Sequence, residues 1–203
     1  MSKIEFRAFK TELRVMADKP CVEGYAAVYN VSTDLGGGYR ESVNPAAFTR
    51  ALAEKQDVRG LFNHDANMVL GRTKSGTLRL SSDNTGLHFE CDLNEQDPEA
   101  MSVRAKIMRG DVDQCSFAFS CTKDSVSYND DGTCDREIMD ADLFDVSPVT
   151  YPAYDTTSCE ARSVDAVRKT LLELRDKQKQ AESLLSADEL ATLRMRVQLK
   201  FRE

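Results

Sequence analysis

The sequence predicts an α+β fold that is mainly β: a barrel-like domain of short antiparallel or mixed strands, a few helices around it, and a helical C-terminal tail. Three observations lead there. Through the first 150 residues, short apolar/polar alternations are separated by turn residues. Only two stretches in that region carry helical spacing. Strands and helices do not alternate regularly, which argues against a doubly wound parallel sheet.

Residues 4–8 and 12–15 alternate as strands, and 21–29 is a β-rich run with Gly24 as a bulge or close-approach point. Gly36, Gly37 and Gly38 follow. No Gly-Lys-Ser/Thr comes after them, so the loop reads as a flexible hairpin or lid and not as a phosphate cradle. Asn44-Pro45 opens a helix that runs to about Glu54. A strand from Val58 to Asn63 ends at His64-Asp65, and further strands follow at 69–73, 77–81 and 87–93. Asp97-Pro98 starts a second helix that Gly110 closes. Strands at 114–122, 136–139 and 143–151 complete the sheet.

Past Cys159 the texture changes. Val164, Val167, Leu171 and Leu174 recur at helical spacing, and Ser186 to Glu189 match a capping box ahead of Leu190, Leu193 and Val197. The 203 residues thus divide into a domain at 1–160 and an amphipathic helical tail at 161–203. Charge divides with them. The net charge is -7, yet residues 160–203 carry 10 basic and 8 acidic side chains, leaving 17 basic and 26 acidic before them. An acidic body repels phosphate backbones, so nucleic acid is not an expected partner. No apolar run approaches the roughly 20 residues that span a bilayer. The first residues lack a signal-type stretch. The expectation is a cytoplasmic protein with no membrane partner, whose six cysteines are free thiols. There is no Cys-x-x-Cys pair and only His64 and His88 add imidazole, so the spacing does not call for a zinc site.

Acyl transfer needs a nucleophile, a base and a group that orients the base. His64, at a strand end, suits a base on the rim of a barrel, although a single histidine also fits a structural or exposed role. His88 shares a strand face with Glu90 and Asp92 and reads as solvated. In 114–121, Cys115, Phe117, Phe119 and Cys121 form an apolar row, and Ser116, Ala118 and Ser120 point the other way. That polar row fits the floor of an open active site or ordinary solvent-facing serines. Cys115 points inward, where a thiol behaves as a small hydrophobe. Asp145 lies inside an apolar strand with Leu143 and Ser147 on its face, and reads as an imidazole orienter or an exposed strand acid.

In their order and spacing, the segments Gly24-Tyr25-Ala26-Ala27-Val28-Tyr29, Asn44-Pro45-Ala46-Ala47-Phe48, Leu61-Phe62-Asn63-His64-Asp65, Leu70-Gly71-Arg72-Thr73, Ser75-Gly76-Thr77-Leu78, Ser116-Phe117-Ala118-Phe119 and Leu143-Phe144-Asp145-Val146-Ser147-Pro148 resemble the caudovirus prohead serine protease family over residues 4–160. The resemblance implies an assemblin-like β-barrel ringed by helices. It implies a serine endopeptidase that cleaves scaffold protein, or the scaffold segment of the major capsid protein, and itself, inside the immature capsid in the host cytoplasm. The resemblance carries over the roles of nucleophile to Ser116 and of base to His64. The third position is usually glutamate in such sequences and is Asp145 here, with Asp65 and Asp142 as alternatives. No metal or organic cofactor is implied. Self-association is expected, and a junction at 155–163 is the expected autocleavage region. The competing reading is a catalytically inactive relative that serves as a capsid-assembly scaffold or binding module.

Overall fold

The computed structural model describes residues 4–10, 13–16, 18–129 and 131–151. Every described residue belongs to one compact unit, Met1–Thr156. The expected tail helices at 161–203, the junction at 155–163 and Cys159 lie outside the described residues.

The elements are β1 (Glu5–Lys10), β2 (Arg14–Val15), β3 (Cys21–Val28), β4 (Thr33–Asp34), β5 (Tyr39–Val43), α1 (Thr49–Ala53), β6 (Arg59–Phe62), β7 (Asp65–Arg72), β8 (Leu78–Ser82), β9 (Gly86–Asp92), α2 (Pro98–Arg109), β10 (Gln114–Tyr128) and β11 (Cys134–Val149). One sheet has the order β1-β10-β11-β5-β4, with the β6–β7 hairpin attached farther along β11. The other is an antiparallel β2-β3-β9-β8 sheet.

The mainly β reading with few helices holds. The single closed barrel does not: no ladder among the described residues joins the two sheets. Instead β3 packs against β1 and β10. The two inner faces bury one another by stacking, so closure is not needed to cover the core.

That core contains Val22, Phe48, Leu87, Phe89, Phe117, Phe119, Ile138 and Val146, all essentially inaccessible. Each buried aromatic contributes about 2–3 kcal/mol of apolar transfer. Phe117 meets Phe48 edge-to-face at 5.5 Å and lies 4.9 Å from Phe119. These rings fix which face of β10 is inward, and therefore place Ser116 on the opposite face.

β5 and β6 both run parallel to β11, on the edge opposite β10, with α1 in the crossover between them. Between those two ladders, the β11 amides find other acceptors. Ala141 N–H donates to Ala47 O (3.0 Å) and Leu143 N–H to Gln56 Oε1 (2.8 Å). No strand is needed there to satisfy the backbone.

α1 is shorter than the expected helix. The Asn44 side chain accepts from Ala46 N–H (2.9 Å), but 45–48 form turns and the helix starts at Thr49. α2 matches its signals. Asp97 Oδ1 accepts from Glu99 and Ala100 N–H, Pro98 occupies the first turn, and Gly110 ends the helix at φ +82°. Gly36, Gly37 and Gly38 turn the β4–β5 hairpin with positive φ.

Candidate active site

The base candidate stands on a two-residue hairpin. Phe62 and Asp65 pair across its neck, and Asn63 (φ +53°) and His64 (φ +57°) form its tip. Positive φ at both central residues is the signature of a type I′ turn, which favours Asn at the first position and Gly at the second. Histidine at the second position pays a steric cost. The expected strand is present as β6 but ends at Phe62, so His64 stands in the tight turn beyond it, and β7 resumes at Asp65.

Three hydrogen bonds pin this tip to the end of β11. Asn63 N–H donates to Pro148 O (3.0 Å), Asn63 Nδ2 donates to Thr150 Oγ1 (3.2 Å), and Asn63 Oδ1 accepts from Thr150 N–H (2.8 Å). At the other end of the hairpin, Gly71 lets β7 approach β9 closely. A Cβ there would lie 2.6 Å from Cys91 Sγ. Lys106 of α2 rests over the Phe62 ring at 5.5 Å.

His64 meets both of its expected partners. Its Nδ1 is 2.6 Å from Asp145 Oδ1, and its Nε2 is 2.7 Å from Ser116 Oγ. A carboxylate only accepts, so Nδ1 carries the proton, Nε2 of the neutral ring accepts, and Ser116 Oγ–H donates. Ser147 Oγ donates to the same Asp145 oxygen (2.7 Å). The Phe6 ring packs edge-on against the imidazole, with centroids 4.7 Å apart.

The sheet register explains why these groups converge. Ser116 pairs with Ala8 on one side and Ser147 on the other, and Ala118 pairs with Asp145. Beyond that point the register slips: Phe119 pairs with Leu143, so Phe144 is the extra residue of a bulge. Strict alternation put Leu143 on the face of Asp145 and Ser147. The bulge instead turns Leu143 into the core with Val146 and leaves Phe144 39% exposed.

The polar row on β10 is not an open floor. Ser116, Ala118 and Ser120 are all buried, as are Asp145 and Ser147. Burial of Ser116 strengthens its short contact with His64. The alternative acids are engaged elsewhere. Asp65 accepts from Asn67 N–H, and Asp142 pairs with Arg50 and accepts from Gln56. Cys115 is buried as expected, and burial drives its thiol far above the ordinary range, away from the reactive thiolate. His88 lies outside the cluster, edge-on to Tyr25 at 5.2 Å. The described cysteines, Cys21, Cys91, Cys115, Cys121 and Cys134, are free thiols. Among the described residues, no cluster of three or more His, Cys, Asp or Glu could hold a metal ion.

Sequence reasoning missed Asn63, Ser147 and Phe6 as parts of the site. Asn63 was detectable, since Asn ahead of a strand restart is a turn signal. Phe6 was not, because its contact with His64 depends on how β1 docks.

A solved structure of the bacteriophage T4 capsid assembly protease, gp21, superposes with a TM-score of 0.51 over 75% of this chain and 99% of that one, at 11% identity, a likeness of fold alone. The prohead protease of Enterobacteria phage HK97 is 30% identical over 163 residues, covering 78% of this chain and 68% of that protein. The profile of the caudovirus prohead serine proteases, Peptidase_S78, matches residues 7–170. The chain belongs to the caudovirus prohead serine protease family and is a serine peptidase.

Proposed function

We propose that this chain is the endopeptidase of prohead maturation, with Ser116 as nucleophile, His64 as general base and Asp145 as the group that orients His64. The observation that carries this reading is the unbroken relay from Ser116 Oγ through His64 to Asp145 Oδ1, with contacts of 2.7 and 2.6 Å.

Ser116 Oγ attacks a peptide carbonyl carbon as its proton passes to His64 Nε2. The new C–O bond gives a tetrahedral oxyanion. Collapse breaks the C–N bond, and the imidazolium returns its proton to the leaving amine. Water then attacks the acyl-Ser116 ester by the same route, releasing the acid and restoring the hydroxyl. Asp145 holds Nδ1–H in place, keeping Nε2 available as acceptor, and stabilises the imidazolium that forms. Donors at the oxyanion would each supply about 3–4 kcal/mol.

The substrates are the scaffold protein, or the scaffold segment of the major capsid protein, and the chain itself, cut inside the immature capsid in the host. The family assignment supports this class of substrate. In the same reading the domain is assemblin-like and self-associating, and residues 161–203 are amphipathic helices that bring it to the shell and are released by cleavage at 155–163.

Co-expression with the capsid or scaffold protein encoded beside it tests the reading, with products read by intact mass. Wild type clips its partner and itself, and Ser116→Ala leaves both whole. Identical products from the two would overturn the assignment in favour of an inactive assembly protein.

A further inference from the structure

We propose that Ser147 is a positioning residue of the relay, acting through Asp145; this rests on the reading of Ser116, His64 and Asp145 given above. Ser147 is fully buried and stands directly across the ladder from Ser116. It lies two residues beyond Asp145 on β11, so both side chains project from one face of the strand. Its hydroxyl donates to Asp145 Oδ1 at 2.7 Å, the oxygen that also accepts from His64 Nδ1 at 2.6 Å.

Two donors on one oxygen do what one cannot. The terminal torsion of an aspartate is broad and two-fold, so a single hydrogen bond leaves the carboxylate free to rock or exchange oxygens. The Ser147 bond comes from the same rigid strand and holds Oδ1 against that rotation. The lone pair facing Nδ1–H then stays fixed, and with it the direction of Nε2 toward Ser116 Oγ. Burial raises the stakes. Asp145 is 7% exposed, so water is a poor replacement for a missing donor.

A merely structural serine would serve the strand and not the relay, and a double-mutant cycle separates the two roles. The readout is the rate at which a fluorophosphonate modifies Ser116 in the full chain, which requires no knowledge of the natural substrate. Ser147→Ala is expected to slow labelling by about 10-fold, the scale of one hydrogen bond to a charged group. In an Asp145→Ala background the same change is expected to have no further effect. Ser147→Cys, close in size but a weak donor, is expected to be intermediate and equally silent without Asp145, and it carries the test if Ser147→Ala does not fold.

Labelling at the wild-type rate in the Ser147 variants, or equal slowing in both backgrounds, overturns the proposal while leaving the assignment of Ser116 intact. Absence of labelling at Ser116 in the wild type overturns the assignment itself, and the Ser147 role with it.

Discussion

Two polar clusters lie on opposite faces of β1, and they are built on opposite principles. Glu5 and Arg7 project to one face, where Glu5 and Glu41 each pair with both Arg7 and Arg136 at 2.5–3.0 Å. Phe6 and Ala8 project to the other, against His64 and across from Ser116. The first cluster is a network of two guanidiniums and three carboxylates, since Arg136 also pairs with Asp124 at 2.7 Å. The second contains two hydroxyls, one imidazole and one carboxylate, and no guanidinium or ammonium. Fixed charges in mutual contact lock a strand, whereas proton transfer needs groups that change protonation state. Strand β1 thus ties the site to a network held by ion pairs.

Substitutions should separate these roles. The largest effect belongs to the relay. Ser116→Ala should lower proteolysis by on the order of 10⁴–10⁶, while the melting temperature stays at the wild-type value. A variant that lost both would place Ser116 in the architecture and not the chemistry. Next, Arg136→Met leaves Glu5 and Glu41 short of a partner and should destabilise the fold by about 3–5 kcal/mol. Denaturant unfolding reads this, and the folded fraction should still label with a fluorophosphonate. Little change in stability would show that the network merely offsets its own desolvation.

The same network sets an acid limit. Burial pushes the Glu5 carboxyl up, but Arg136 and Arg7 outweigh it and hold the group below its ordinary value of 4.5. Its folded pKa therefore lies below its unfolded one. The ionised group stabilises the fold above about pH 4.5, and that contribution disappears as acid protonates it. As pH falls below about 5, wild type should lose stability more steeply than Glu5→Gln does, and parallel curves would contradict this. The smallest effect is expected at the hairpin tip. Asn63→Gly keeps the positive φ but removes the side-chain ties to Thr150. Labelling of Ser116 should slow by about 3–10-fold, with stability changed by no more than about 1 kcal/mol. A wild-type rate would mean that the turn alone aims His64.

The sequence made some of this legible because the relevant physics is local. The alternation around Phe117 and Phe119 placed Ser116 opposite the core, the caps at Asp97 and Gly110 bounded α2, and Asp145 was conspicuous as an acid in an apolar strand. The rest depends on long-range docking. The Phe144 bulge moves Leu143 to the core face through a register slip that no strand pattern records. Burial of the Ser116 row could not be read from alternation, which distinguishes faces but not what covers them. Glu5 and Arg136 are 131 positions apart, so their pairing was invisible. The stacked sheets replaced an expected barrel for the same reason: alternation says which face is apolar, not how two apolar faces meet.

The central claim is that Ser116 is a nucleophile activated by His64. Its most direct test is treatment of the purified chain with a fluorophosphonate, followed by peptide mapping. The account predicts a single adduct on Ser116 that is lost in His64→Ala and reduced in Asp145→Ala. An adduct on another serine, or labelling of Ser116 that is indifferent to His64, would contradict it.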